Sequence, residues 1–214
     1  LADKQELNFW ILDALKSLDP HKNTDREGSD ALRQLFEGLM NEDLKGAMVP
    51  GVAESYEISD DKKTYVFHLR DAKWSNGDPV TAGDFVYGWR RIADPATASE
   101  YAWFMELMNI VNAKEIVAGT AAPDTLGVTA VDDHTLEVKL TQPTAYFIKT
   151  LSHPTTFPVL KSVLDEKGDA WTQPGNLVGN GAYTLTGHNL GVDITLEKNP
   201  EYWDAANVVL DKLT

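Results

Sequence analysis

Apolar residues recur along this chain with two different periods, and the switches between them mark out its elements. Residues 6–12 (ELNFWIL) read as a buried strand. A polar loop follows, Ser17-Leu18-Asp19-Pro20-His21-Lys22. Leu32, Leu35, Phe36 and Leu39 then stand at i, i+3, i+4 and i+7, which predicts a helix over 31–37 with one face in the core. Ser29 or Asp30 is placed to cap it, and Gly38 to stop it. Alternation predicts strands over 52–58 and 64–69, joined by the turn Ser59-Asp60-Asp61-Lys62. After a second turn at Asn76-Gly77-Asp78-Pro79, Thr81-Ala82-Gly83-Asp84 forms a capping box with Asp in place of Glu. The helix it opens carries Phe85, Val86, Trp89 and Ile92 on one face and ends at Asp94-Pro95. An aromatic-rich helical stretch runs from Tyr101 through Glu115 to Gly119. Residues 126–131 and 135–140 make a hairpin across Asp132-Asp133-His134. Short helices at 146–151 and 160–165, a strand pair at 182–185 and 192–197, and a strand at 208–213 complete the pattern.

This order predicts a mixed α/β (α+β) architecture without a repeating βαβ rhythm. No Pro/Gly/Ser-rich linker divides the chain, so any second domain is an insertion. The last residues lie in a strand-like run with no polar tail, which reads as a fragment; a native edge strand is the alternative.

Composition narrows the function classes. The 214 residues carry 33 acidic and 19 basic side chains, for a formal net charge of −14. Such a surface repels phosphate backbones, so nucleic acid is not an expected partner, and the acidity is read as a solubility feature. No apolar run reaches the roughly 20 residues of a membrane-spanning helix, and no basic segment followed by an apolar run opens at Leu1. With no cysteine, disulfides, thiolate metal sites and a cysteine nucleophile are all excluded. Nucleophile elbows, zinc-protease helices and phosphate loops are missing from the sequence, so no cofactor or metal is expected. Ser59-Asp60-Asp61-Lys62 fits S-x-x-K but sits in a turn, and Asp132-Asp133-His134 is read as a hairpin turn, not a metal site. Carboxylate pairs assembled by folding leave an acidic hydrolase as the alternative from another class. The positive signal is aromatic: six Trp, seven Tyr and seven Phe, with Trp74, Tyr101, Trp103, Trp171, Tyr202 and Trp203 in or beside loops.

Several strings taken together resemble one family. They are the 17–22 loop, Arg33-Gln34-Leu35-Phe36-Glu37-Gly38-Leu39, Val49-Pro50-Gly51-Val52-Ala53-Glu54-Ser55, and Phe67-His68-Leu69-Arg70-Asp71-Ala72-Lys73-Trp74-Ser75-Asn76-Gly77. Pro79-Val80-Thr81-Ala82, Asp84-Phe85-Val86-Tyr87, Trp171-Thr172-Gln173-Pro174-Gly175-Asn176, Asn180-Gly181-Ala182-Tyr183 and Asn199-Pro200-Glu201-Tyr202-Trp203 complete the set. The chain is similar in these strings to the solute-binding proteins of peptide ABC importers, above all the oligopeptide- and murein-tripeptide-binding group. The resemblance implies a Venus-flytrap fold of type II. Its first lobe takes residues 1–36 and 161–214, its inserted second lobe takes 37–160, and a third lobe is absent. It implies a periplasmic or extracytoplasmic, non-enzymatic protein that captures oligopeptides and delivers them to a membrane permease. Peptides are then held extended, main chain to main chain, between the first and third lobes. Matched residue by residue, Thr24, Asp25 and Arg26 fall beside the peptide, Tyr101 lines a side-chain pocket, and His153 lies near the cleft. The family pattern has a glutamate, a glycine and a small apolar residue where Thr24, Asp25 and Arg26 stand, so the pocket charge is expected to differ. Arg26 is read either as a partner for a peptide carboxylate or as a surface charge. A chain with half a cleft is expected to bind weakly or not at all, and to self-associate through surface that the missing lobe covers.

Overall fold

A computed structural model describes residues 4–11 and 13–214. Two four-stranded sheets organise it. The first uses both ends of the chain: β1 (Glu6–Leu7), β10 (Lys212–Leu213), β9 (Asp193–Lys198) and β8 (Tyr183–Asn189), in that spatial order. β1 runs parallel to β10 through Glu6↔Lys212 and Leu7↔Leu213, and the other pairings are antiparallel. The second sheet is drawn wholly from the middle of the chain. It orders β4 (Ala53–Ile58), β5 (Thr64–Leu69), β7 (Thr135–Lys139) and β6 (Val128–Asp132), all antiparallel. A small hairpin of β2 (Met40–Glu42) and β3 (Met48–Pro50) lies between them in sequence.

The predicted periods explain what is buried. In β5 the alternate residues Tyr65, Phe67 and Leu69 face the core, and β7 adds Leu136 and Val138. Helix α2 (Ala82–Ala93) lies on β6 and β7 and buries Phe85, Val86, Trp89 and Ile92. Each such side chain contributes about 1.5–3 kcal/mol by leaving water. Its capping box is present, the Thr81 N–H donating to the Asp84 carboxylate at 2.8 Å. Helix α1 (Arg26–Leu35) packs on β8 and on the 154–156 turn, with Leu32 and Leu35 fully buried. The remaining helices are α3 (Trp103–Leu107), α4 (Ala113–Val117), α5 (Phe147–Thr150) and α6 (Lys161–Lys167). Buried apolar side chains form one continuous cluster that runs from Leu18 to Leu213.

Four expectations need correction. The buried strand at 6–12 shrinks to the two residues of β1, and Leu12 lies outside the described residues. β1 pairs with the two-residue β10, and Leu7, Phe9 and Trp10 are exposed, Trp10 at 98%. Helix α1 starts at Arg26, five residues before the predicted 31, because Asp25 outcompetes Ser29 and Asp30 as the cap. It ends at Leu35, where Phe36 turns extended (φ −132°, ψ 160°). Gly38 is there for close packing, not as a helix stop: a Cβ on it would lie 2.7 Å from the Leu151 carbonyl oxygen. The helical stretch 101–119 breaks into α3 and α4 because Asn109 and Asn112 adopt left-handed φ of 57° and 64°. The strand at 208–213 is regular only over Lys212–Leu213. No helix among the described residues is long and apolar enough to cross a membrane.

Candidate ligand-binding site

The loop before α1 has no ladder to hold it, so side chains do. The Asp19 carboxylate takes the Arg91 guanidinium at 2.6 and 2.9 Å and the His21 N–H at 2.9 Å. The Asp19 carbonyl accepts from the Lys22 and Asn23 N–H groups. Burial works to raise the Asp19 carboxyl, but Arg91 and His21 together hold it below the usual carboxylate range. The Asn23 amide then donates to the Asp25 carbonyl and to the Ser29 hydroxyl.

At the end of this loop sit the three predicted ligand-facing residues. Both Asp25 carboxylate oxygens are engaged, one by the Gly28 N–H at 2.6 Å and the other by the Lys16 N–H at 3.1 Å. Asp25 is therefore the α1 cap and organises the loop. Arg26 is 85% exposed, its guanidinium 3.8 Å from Asp30. Thr24 is half-buried, and neither its main-chain N–H nor its carbonyl has a hydrogen-bond partner among the described residues. An unpaired main-chain position beside an ordered helix start is what an added extended strand requires.

Tyr101 and His153 come together as predicted from neither periodicity nor spacing. Their rings stack at 5.5 Å with planes 25° apart, and Phe104 also stacks on the imidazole at 4.7 Å. Trp103, half exposed, continues the cluster 5.5 Å from Tyr101. The His153 Nδ1 accepts the Thr155 N–H at 3.3 Å, which fixes the ring at the start of the 154–156 turn. Burial, then the nearby Arg33 charge, push this imidazole down to about 4, so it is neutral at pH 7. No hydrogen bond, ion pair or ring contact among the described residues joins the 24–26 group to this aromatic group.

Sequence reasoning missed three features here: Arg33 beside His153, the Arg91 anchor, and a buried hub at Glu37. For Arg91 there was a signal. Gly88, inside a helix, costs about 1 kcal/mol relative to Ala and implies a close neighbour; a Cβ on it would lie 3.3 Å from the His21 ring. At the hub, Glu37 accepts from Tyr202 Oη (2.7 Å), Trp203 Nε1 (2.6 Å) and Asn41 Nδ2 (2.7 Å). Its main chain is bracketed by the Asn180 amide, and Arg70 lies 3.5 Å over the Trp203 ring. Burial pushes the Glu37 carboxyl up, and these donors pull it back. Thus the strings containing Glu37, Arg70, Asn180 and Tyr202-Trp203 meet in one place and hold the fold together. A cavity of about 300 Å³ opens beside this hub, lined by Arg33, Glu37, Ser152 and Tyr202 among others. A wider groove of about 640 Å³ lies between Phe9–Ile11 and the β8–β9 turn and includes none of the predicted ligand-facing residues.

Comparison with known proteins agrees with this architecture. Residues 47–214 match the bacterial extracellular solute-binding proteins, family 5, middle region, and the chain belongs to that family. It is 50% identical over 215 residues to the periplasmic oligopeptide-binding protein OppA of Salmonella typhimurium, covering 100% of this chain and 39% of the relative. The solved structure of the Escherichia coli murein tripeptide binding protein MppA superposes with a TM-score of 0.97 at 47% identity, covering 100% of this chain and 42% of that one. The probable deoxycholate-binding periplasmic protein YgiS of Escherichia coli is 46% identical over 198 residues, 92% of this chain and 37% of its own length. The chain thus spans about two-fifths of the length of these relatives.

Proposed function

We propose that this chain is the part of an extracytoplasmic solute-binding protein that presents one side of a peptide cleft, working with the permease of a peptide ABC importer. The partition into a first lobe (1–36 with 161–214) and an inserted second lobe (37–160) belongs to this reading. Its support is that the terminal segments share one sheet while the middle of the chain builds the other. The relatives are solute-binding proteins, which favours reversible capture without chemistry. A periplasmic location rests on the same relatives.

Among relatives of similar identity, one is named for peptides and another for a steroid acid. The observation that favours peptide is Thr24, whose main-chain donor and acceptor are both unpaired among the described residues. A peptide backbone satisfies both at once, and a steroid acid supplies no matching amide pair. Arg26 and the Tyr101–His153 stack are placed in this reading as side-chain contacts, and Asp25 as the residue that fixes the loop.

Native mass spectrometry of the chain with millimolar tri- to pentapeptides, and separately with deoxycholate, tests this. Peptide-sized adducts are expected, weakly held, and reduced when the same peptides carry N-methylated amides. Uptake of deoxycholate alone, or peptide uptake indifferent to N-methylation, would overturn the reading.

A further inference from the structure

We propose that His21, clamped between Arg91 and the Phe157 carbonyl, is a positioning residue for the ligand-facing loop, and that acid releases this loop while both sheets stay folded. The inference rests on the peptide-cleft reading only for its consequence; the release itself is a property of the fold.

The imidazole is fully buried, with Nε2 3.1 Å from the Phe157 carbonyl oxygen and Nδ1 2.8 Å from Arg91 Nη1. A carbonyl only accepts and a guanidinium only donates. One neutral tautomer satisfies both: Nε2 protonated and donating, Nδ1 bare and accepting. A second proton has to sit on Nδ1, where it faces the Arg91 N–H at 2.8 Å, donor against donor and cation against cation. The charged groups facing the ring are Asp19 from its own loop and Arg91 from α2. From the 154–157 turn comes the Phe157 carbonyl, and from α2 the bare face of Gly88. Tyr87, with Lys161 and Asp165 beyond it, bears on Arg91 and Asp19 and not on the ring. Burial and Arg91 hold the imidazole down to about 4 from its ordinary 6.5, with Asp19 and the Phe157 carbonyl opposing.

The Asp19–Arg91–His21 set anchors the loop from Asp19 to Asn23, and Thr24 follows directly. Protonation of His21 breaks its Arg91 contact and sets a second cation against the guanidinium, so the loop loses the His21 tie to α2 and keeps only the Asp19–Arg91 pair. The main chain proposed to pair with peptide then loses its fixed position.

Amide hydrogen exchange followed by NMR between pH 7 and 3.5, corrected for intrinsic rates, reads this without any ligand. The amides of His21, Lys22 and Asn23 are expected to lose at least tenfold protection near pH 4, while those of Phe67 and Leu136 keep theirs. In His21→Gln, whose amide offers one donor and one acceptor but takes no proton, the loop is expected to stay protected throughout. Loop protection that follows the core at every pH, or a transition unchanged in His21→Gln, overturns the proposal. If His21→Gln is already open at pH 7, the parent ring decides: its protonation must coincide with loss of loop protection, and separation of the two overturns it. A chain that takes up deoxycholate and not peptide refutes the peptide reading and leaves this result untouched.

Discussion

Glu37→Ala removes the acceptor shared by three donors and leaves each to find another. Trp203 Nε1, 2.6 Å from the carboxylate, does not line the neighbouring cavity and has no ready replacement. Tyr202 and Asn41 do line it, so water can take over part of their bonding. A buried donor left unpaired costs about 1–3 kcal/mol. Counting Trp203 in full and the other two in part gives a loss of about 3 kcal/mol. For a chain of this size that lowers Tm by about 6–12 °C, at about 2–4 °C per kcal/mol. Thermal unfolding followed by circular dichroism measures it. Glu37→Gln keeps one acceptor oxygen but turns an NH₂ toward a donor, so its Tm is expected between Ala and parent. Glu42→Ala, exposed on the same cavity, is expected to stay within about 2 °C of parent. A Glu37→Ala protein that melts with the parent refutes the view that the family's long motifs are a structural hub.

Two further outcomes follow from the same structure. The unfolded chain takes up a proton on His21 as pH falls below its ordinary 6.5, whereas the folded chain resists until about 4; stability is therefore full above 6.5 and lost between 6.5 and 4. This amounts to about 3 kcal/mol for His21, with a smaller loss of the same sign from half-buried His153, and the urea midpoint of parent against His21→Gln at pH 7 and 4.5 measures it. Gly38→Ala forces a methyl to within 2.7 Å of the Leu151 carbonyl and 2.9 Å of the Phe157 ring; a cost of about 1–3 kcal/mol is expected by denaturant unfolding.

Periodicity alone determined most of the elements. The alternation of Tyr65, Phe67 and Leu69 and the 3.6-residue stripe of Phe85, Val86, Trp89 and Ile92 are local signals, and they place β5 and α2 correctly. The same local logic failed at residues 6–12, because an apolar run reads alike whether it is buried or lies at an edge with a two-residue partner. Cap choice at α1 was also decided elsewhere: Ser29, Asp30 and Asp25 all suit the role, and the Lys16 and Gly28 N–H groups converging on Asp25 settle it. For the candidate site, resemblance supplied Tyr101 and His153, but their stacking across 52 positions of sequence is a product of packing. Asp19 and Arg91 lie 72 positions apart and Glu37 and Trp203 166 apart. Nothing in the spacing of residues encodes such pairs. They form because burial strips water from charged and polar groups, and the fold then leaves each only the few protein partners it brings within reach.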